Sequence, residues 1–248
     1  MAIDVEKIGR SREEDAGGRR KRWTSEEYHR MAEIGLFDLG LNQERVELIA
    51  GDVYRLHPAS EDEHLRRWTV DEYYKIYEAG LLDGQRVELI DGEILLMSPM
   101  AAPHAICVMK TQYALIDALP RRLIVRVQLP LRMFSRTEPE PDLAIIEREV
   151  AFDLSQNPST AALVIEVSDS TLQADQTTKM SLYAAANIPE YWILNLQNRR
   201  LEVHRQPIED SLQPFGHRYG TMQTLNIDGE IAPLCAPDVV LKVADLLP

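Results

Sequence analysis

Glu138-Pro-Glu-Pro-Asp-Leu-Ala-Ile-Ile146, then a loop, then Ala161-Ala-Leu-Val-Ile-Glu-Val-Ser168, is the stretch on which the reading of this chain turns. Leu143–Ile146 is a short apolar run behind Pro139 and Pro141. Leu163–Val167 is a second, rich in β-branched residues, and both read as buried strands. Asp142 begins the first run, and Glu166 lies near the close of the second. A carboxylate in a buried strand is costly unless its charge is compensated, and a divalent cation is the usual compensation. Two carboxylates on neighbouring strands make a hard oxygen site suited to a magnesium ion. A polar turn and a helix carrying Asp175 and Lys179 follow.

Outside this stretch, composition bounds the answer. The chain has 248 residues, 45% apolar and 27% charged, which suits a globular protein with one large domain or one domain and an appendage. No apolar run approaches the length of a membrane span, and the first residues hold no apolar signal region. Cys107 and Cys235 lie far apart and lack metal-ligand spacing, so two reduced thiols in a cytoplasmic protein without a membrane partner are expected. The net charge of −13 counts against a protein that coats nucleic acid by general basicity. The charge is uneven, however. Residues 61–100 hold ten acids and four bases, whereas residues 101–136 hold six bases (Lys110, Arg121, Arg122, Arg126, Arg132, Arg136) and one acid, Asp117. A basic strip beside an acidic metal site is what a phosphodiester substrate needs; a solvated basic face is the other reading.

Residues 1–22 read as a disordered tail ending in the basic cluster Arg19-Arg20-Lys21-Arg22, which is expected to be solvated. An internal repeat starts at Trp23. Trp23-Thr-Ser-Glu-Glu-Tyr28 matches Trp68-Thr-Val-Asp-Glu-Tyr73, and Arg45-Val-Glu-Leu-Ile-Ala-Gly-Asp-Val53 matches Arg86-Val-Glu-Leu-Ile-Asp-Gly-Glu-Ile94. Each copy predicts a helix capped by Thr24 or Thr69, a glycine turn, and a hairpin around Ala50-Gly51 or Asp91-Gly92. Residues 23–60 are therefore a partial duplication of the entry segment, too short for a core of their own, and expected to pack on the main domain, 61–248, or on another subunit.

Pro103-His104 opens a helix running to about Leu119. Leu123–Leu129 reads as a strand that Leu131–Phe134 would extend. Ala174–Asn187 reads as a helix with Asp175, Lys179, Leu182 and Ala186 on one side, ended by Ile188-Pro189. Tyr191–Leu196 and Leu201–His204 pair through a turn at Gln197-Asn198, and the tail from Gly216 adds two or three short strands, the last at Val239–Val243. The order predicts an α/β fold: a mixed β-sheet flanked by helices, with extra β-hairpins.

These motifs, taken in order, resemble the PD-(D/E)XK phosphodiesterase superfamily, and in particular its Uma branch, grouped with restriction endonucleases. The resemblance covers roughly residues 66–245. It rests on Arg86-Val-Glu-Leu-Ile-Asp-Gly-Glu93, Ser98-Pro99 to His104, Arg126-Val-Gln-Leu-Pro-Leu-Arg132, Glu138-Pro-Glu-Pro-Asp142, Val164-Ile-Glu-Val-Ser168, Asp175 with Lys179, and Ile188-Pro-Glu-Tyr-Trp-Ile193. It implies a restriction-endonuclease-like fold with Asp142 and Glu166 as metal ligands, joined by the backbone carbonyl of Val167. It further implies Mg2+ or Mn2+ as cofactor, DNA as partner, and phosphodiester cleavage. The superfamily's lysine two residues after the second acid is Ser168 here, and Lys179 on the next helix is the candidate replacement, orienting the attacking water or stabilising transition-state charge. A homodimer follows by analogy, since cutting a duplex takes two sites.

Each site residue also has a structural reading. Asp142 suits a strand-entry turn, Glu166 a buried ion pair, and Lys179 the i,i+4 partner of Asp175, which itself fits a helix N-terminus or a group that positions Lys179. Glu88 points at the metal or pairs with an arginine. His104 is a cap or surface residue as readily as a site residue, and Gln128 contacts water or phosphate or pairs within its strand. Glu47, the duplicate of Glu88, is followed by no copy of the two acidic strands, so the first repeat is expected to be inert. A nuclease-fold module that binds DNA or protein without cleaving, and a hydrolase of small phosphoesters, are the competing functional readings.

Overall fold

The computed structural model describes residues 18–37, 45–56, 63–153 and 155–248. They gather into two compact units, Gly18–Ser98 with Ser135–Glu138, and Pro99–Phe134 with Pro139–Pro248.

The first unit contains both copies of the repeat. Its elements are β1 (Arg19–Arg20), α1 (Ser25–Glu33), β2 (Arg45–Ile49), β3 (Asp52–Leu56), β4 (Glu63–Leu65), α2 (Val70–Glu78), β5 (Val87–Ile90) and β6 (Glu93–Leu96). Thr24 and Thr69 start the two helices through capping boxes with Glu27 and Glu72. The hairpins β2–β3 and β5–β6 turn on Ala50-Gly51 and Asp91-Gly92, all four at positive φ, the arrangement whose twist matches that of the flanking strands.

The two copies exchange their leading strands. β1 leads the first copy and pairs with β6 of the second, Arg20 opposite Leu95; β4 leads the second and pairs with β3 of the first, Leu65 opposite Tyr54. The same bond then runs in both directions, from Lys21 N to the Ile94 carbonyl at 2.7 Å and from Arg66 N to the Val53 carbonyl at 2.8 Å. Trp23 and Trp68 meet edge-to-face at 6.3 Å. One core takes Met31, Leu36 and Val53 from the first copy and Ile76, Leu82 and Ile94 from the second. A segment too short to bury itself is thus buried by its sister.

Residues 1–17 of the expected tail lie outside the described residues. The basic cluster at its end is solvated only in part: Arg19 and Arg22 are exposed, as expected, whereas Arg20 and Lys21 are not. Arg20 pairs with Asp52 (3.3 Å) and Glu93 (3.0 Å), Lys21 with Glu27 (2.8 Å), and Arg22 with Asp52. The acids of the two hairpins and of the first helical turn neutralise Arg20, Lys21 and Arg22, and β1 pairs its backbone with β6.

The second unit runs α3 (Ala102–Ala118), β7 (Leu123–Val127), β8 (Leu143–Glu147), α4 (Arg148–Ala151), β9 (Leu163–Ser168), α5 (Leu172–Ala174), a π-helical turn (Asp175–Lys179), α6 (Met180–Ala185), β10 (Glu190–Asn195), β11 (Arg200–Glu209), β12 (His217–Leu225), β13 (Glu230–Ile231), β14 (Leu241–Lys242) and α7 (Val243–Leu246). Its six-stranded sheet has the order β12-β11-β10-β9-β8-β7. Only β9 and β10 run parallel, joined by the α5–α6 helix as a crossover; the other pairs are antiparallel. One face buries Leu143, Ile145, Leu163, Ile165, Val167, Trp192 and Leu194 against Cys107, Val108 and Leu115 of α3 and against Val243 and Leu246 of α7. This is the expected mixed α/β fold. Cys107 and Cys235 are free thiols. Among the described residues no helix is long and apolar enough to cross a membrane.

Three elements differ from expectation. Leu131–Phe134 does not extend β7, because Gln128 takes a left-handed conformation (φ 50) and Pro130 breaks the ladder; Leu131 is still fully buried, its N–H bonded to the Pro139 carbonyl at 3.0 Å. The tail is dominated by a long hairpin, β11 with β12, rather than by short strands. Pro207 is tolerated within β11 because β10 begins at Glu190, opposite Arg205, so Pro207 faces no β10 partner that needs its missing N–H. The expected last strand is only two residues long before the chain turns into α7.

Candidate active site

Side chains alternate along β9. Leu163, Ile165 and Val167 enter the core under α3, so Glu166 and Ser168 point to the other face, under the α5–α6 helix. Leu143 of β8 lies opposite Ile165, which sets Asp142, one step earlier, against Glu166. The backbone locks this pair. Asp142 N donates to Glu166 Oε2 at 3.2 Å, and Val167 N donates to Asp142 Oδ2 at 2.9 Å.

Two further groups converge on Asp142 Oδ1. His104, in the first turn of α3, brings Nε2 to 2.9 Å, and Gln128, just past β7, brings Nε2 to 3.3 Å. Neither is a surface cap or a strand pair. Gln128 also donates its backbone N–H to the Asp142 carbonyl at 3.1 Å, a bond made by its left-handed conformation. Such strain in a non-glycine residue costs on the order of 1 kcal/mol and persists where the surroundings over-determine it.

The helix supplies the opposite wall. It is not the regular Ala174–Asn187 helix of the sequence reading, because its second segment, Asp175–Lys179, winds as a π-turn. Such turns rotate the following residues relative to an ideal α-helix. Lys179 Nζ lies 3.1 Å from Glu166 Oε1, and the Tyr183 hydroxyl donates to the same oxygen at 2.6 Å. Asp175, also buried, accepts from Thr171 Oγ1 at 2.7 Å, and its carbonyl accepts from the Tyr191 hydroxyl at 3.1 Å. The helix ends where Asn187 turns left-handed (φ 56) and Asn187 N and Ile188 N bond back to Ala184 and Tyr183. Tyr183 was missed in the sequence reading. The available signal was its position four residues after Lys179, on the same helix face.

Ser168 is fully buried on the Glu166 face, close enough to the Asp175 carboxylate to help hold its pKa down. Glu88 belongs to the other compact unit, buried in β5 opposite Leu95.

Three buried carboxylates therefore share one lysine. Burial, joined by the charges of Asp142 and Asp175, lifts the Glu166 carboxyl to about 8 despite the relief from Lys179 and the Tyr183 hydroxyl. Burial raises Asp175 in the same way, against the pull of Lys179. Asp142 moves the other way: burial pushes its carboxyl up, but the hydrogen bond and charge of His104, the Val167 N–H and Lys179 together hold it below the usual range. Burial pulls His104 down, but Asp142 more than offsets it and the imidazole ends above its ordinary value. A site with this surplus of hard oxygen donors and negative charge fits a divalent cation. Among the described residues no three His, Cys, Asp or Glu side chains group as metal ligands, so a cation here would rest on two carboxylates and backbone oxygen.

The raised Glu166 value has a consequence for stability. Below about pH 4.5 the folded and unfolded chains both keep this proton. As pH rises, the unfolded chain loses it first, so the metal-free fold loses stability until about pH 8, by up to about 1.4 kcal/mol per pH unit. Asp142 acts in a separate window, adding stability that is lost only as pH falls through its depressed value. Melting in chelator is expected to show Glu166→Gln gaining on the parent protein from pH 5 to pH 8. A constant difference across that range would show that Glu166 is ionised throughout.

Residues 70–234 match the family Uma2, described as "Putative restriction endonuclease". A crystal structure described as "a putative nuclease belonging to DUF820" from Anabaena variabilis superposes with a TM-score of 0.54, over 72% of this chain and 96% of its own, at 14% identity. At that identity the likeness is one of fold. No curated protein matches the chain.

Proposed function

The chain belongs to the Uma2 family, and on that premise we propose that it is a metal-dependent endonuclease hydrolysing DNA phosphodiester bonds. The observation that carries the reading is the meeting of Asp142, Glu166 and Lys179 on one face of the sheet, with Lys179 Nζ 3.1 Å from Glu166 Oε1. Asp142 and Glu166 would hold Mg2+ or Mn2+ together with the Val167 carbonyl. The bound cation would supply Lewis acidity toward a phosphate and make the attacking water more acidic.

The remaining work falls to the chain's own groups. Tyr183 and Lys179 fix the Glu166 carboxylate from one side, while His104 and Gln128 fix Asp142 from the other. Lys179 orients the attacking water and stabilises negative charge on the phosphate in the transition state, in the position the superfamily gives to a lysine where Ser168 stands. Asp175, whose carboxyl feels the Lys179 charge, helps position Lys179. Cutting both strands calls for two such sites, hence a homodimer.

Supercoiled and linear DNA incubated with the protein are expected to be cut only with Mg2+ or Mn2+, and Glu166→Ala and Glu166→Gln to lower the rate by at least ~10³-fold. Wild-type protein that binds the metal but cuts nothing would favour a non-catalytic module that binds DNA or protein.

A further inference from the structure

Of the six bases between residues 101 and 136, most are committed. Lys110 donates to the carbonyls of Ala244 (3.1 Å) and Leu247, capping the end of α7. Arg122 pairs with Glu147 at 2.7 Å and donates to the Cys235 carbonyl at 2.6 Å. Arg136 reaches Asp91 at 3.6 Å, and Arg132 has partners of its own. Arg121 is exposed before the start of β7, at the end of the strand away from Gln128.

Arg126 is different. It pairs in register with Ala144 of β8, and Ala144 has the same parity as Asp142. The neighbours Val125 and Val127 pack into the core under α3, so Arg126 emerges on the face that carries Asp142, Glu166 and Lys179. Two residues along β8, about 7 Å, separate its register position from Asp142. Its Nη2 donates to the Pro130 carbonyl at 3.1 Å, and Nε is buried without a partner. No carboxylate among the described residues forms an ion pair with it. Burial alone acts on its guanidinium, lowering its proton affinity.

A half-buried guanidinium with open donors and no counter-ion is costly, and the cost falls away when an anion arrives. The chain as a whole carries −13 and repels a polyanion, so a phosphodiester needs a local cation to dock. We infer that Arg126 anchors a backbone phosphate of the nucleic-acid substrate next to the scissile bond, by the bidentate fork that guanidinium presents to phosphate oxygens. This rests on the nuclease reading above.

The test is fluorescence anisotropy of a short labelled duplex in chelator over a range of salt, with KM for metal-driven cleavage read in parallel. Arg126→Gln is expected to raise Kd and KM about tenfold and to lessen the slope of log K against log salt by about 0.9, with unchanged melting. Arg126→Lys, which keeps the charge but not the fork, should fall between, and it carries the test if the glutamine variant melts early. Unchanged Kd, KM and slope in a folded variant, with wild-type cleavage intact, would overturn the role of Arg126 and leave the nuclease reading standing. Wild-type protein that neither binds nor cuts DNA would overturn the nuclease reading, and the inference with it.

Discussion

Lys179→Met is expected to lower the rate of DNA cleavage by about 10²–10³-fold while leaving the chain folded and able to bind Mg2+. Methionine keeps the buried stem of Lys179 and removes only the ammonium group 3.1 Å from Glu166 Oε1. Stripping one partner from a buried ion pair ordinarily costs about 3–5 kcal/mol, because a bare charge remains. Here the cost is smaller. Glu166 keeps the Tyr183 hydroxyl at 2.6 Å, and a carboxyl lifted to about 8 already carries its proton at neutral pH, so no bare charge remains. The variant therefore separates chemistry from stability. Isothermal titration with Mg2+ beside a cleavage time course checks it. Full activity in the variant would reduce Lys179 to a structural partner of Glu166 and Asp175. Lys179→Arg is expected to recover little, since a planar fork does not replace a compact ammonium on a single carboxylate oxygen.

Gly92→Ala is expected to destabilise the protein by about 3 kcal/mol, one of the largest effects available to a single added methyl. Gly92 is the second residue of the β5–β6 turn, at φ 75, where an L side chain is strained. A Cβ built there meets Arg67 Cβ at 2.7 Å, Trp68 N at 2.9 Å and Arg67 Cα at 3.0 Å. Two of those atoms are backbone, so no rotamer change relieves the clash. The Gly92 carbonyl also accepts the Trp68 N–H at 2.8 Å, so the two segments cannot simply part. The repeat provides an internal control. Gly51 holds the equivalent place at φ 84, but its added Cβ meets Arg22 Cβ at 3.0 Å and Cδ at 3.3 Å, and the nearest backbone atom, Arg22 Cα, is at 3.6 Å. Gly51→Ala is expected to cost about 1 kcal/mol, mostly backbone strain. Denaturant titration of both variants measures the gap; equal losses would mean that the close approach of Arg67 and Trp68 is soft.

Much of the fold was legible because it is written in local chemistry. Thr24 with Glu27 and Thr69 with Glu72 announce two helix starts, and both form as capping boxes. The apolar runs at Leu143 and Leu163 announce buried strands, and Asp142 and Glu166 stand out because a carboxylate there needs a reason. Less legible was anything that depends on which backbone lies beside which. The length of β11 is one case: Pro207 fits within it because β10 pairs no further along than Arg205, two residues before it. Arg20 and Lys21 read as solvated until Asp52 and Glu93 arrive from distant positions, and Glu27 from the next helix, to neutralise them.

The sequence by itself determined the mixed sheet, the duplicated entry motif and the two acidic strands, because periodicity, caps and turn residues act over a few neighbouring positions. Only the tertiary structure decided that the two repeat copies exchange strands. It also decided that His104 and Gln128 meet at one oxygen of Asp142, that Lys179 and Tyr183 meet at one oxygen of Glu166, and that Arg126 shares their face. Those meetings depend on strand register and on a π-turn, and both are settled by long-range packing, where a shift of one residue would turn every side chain to the opposite face.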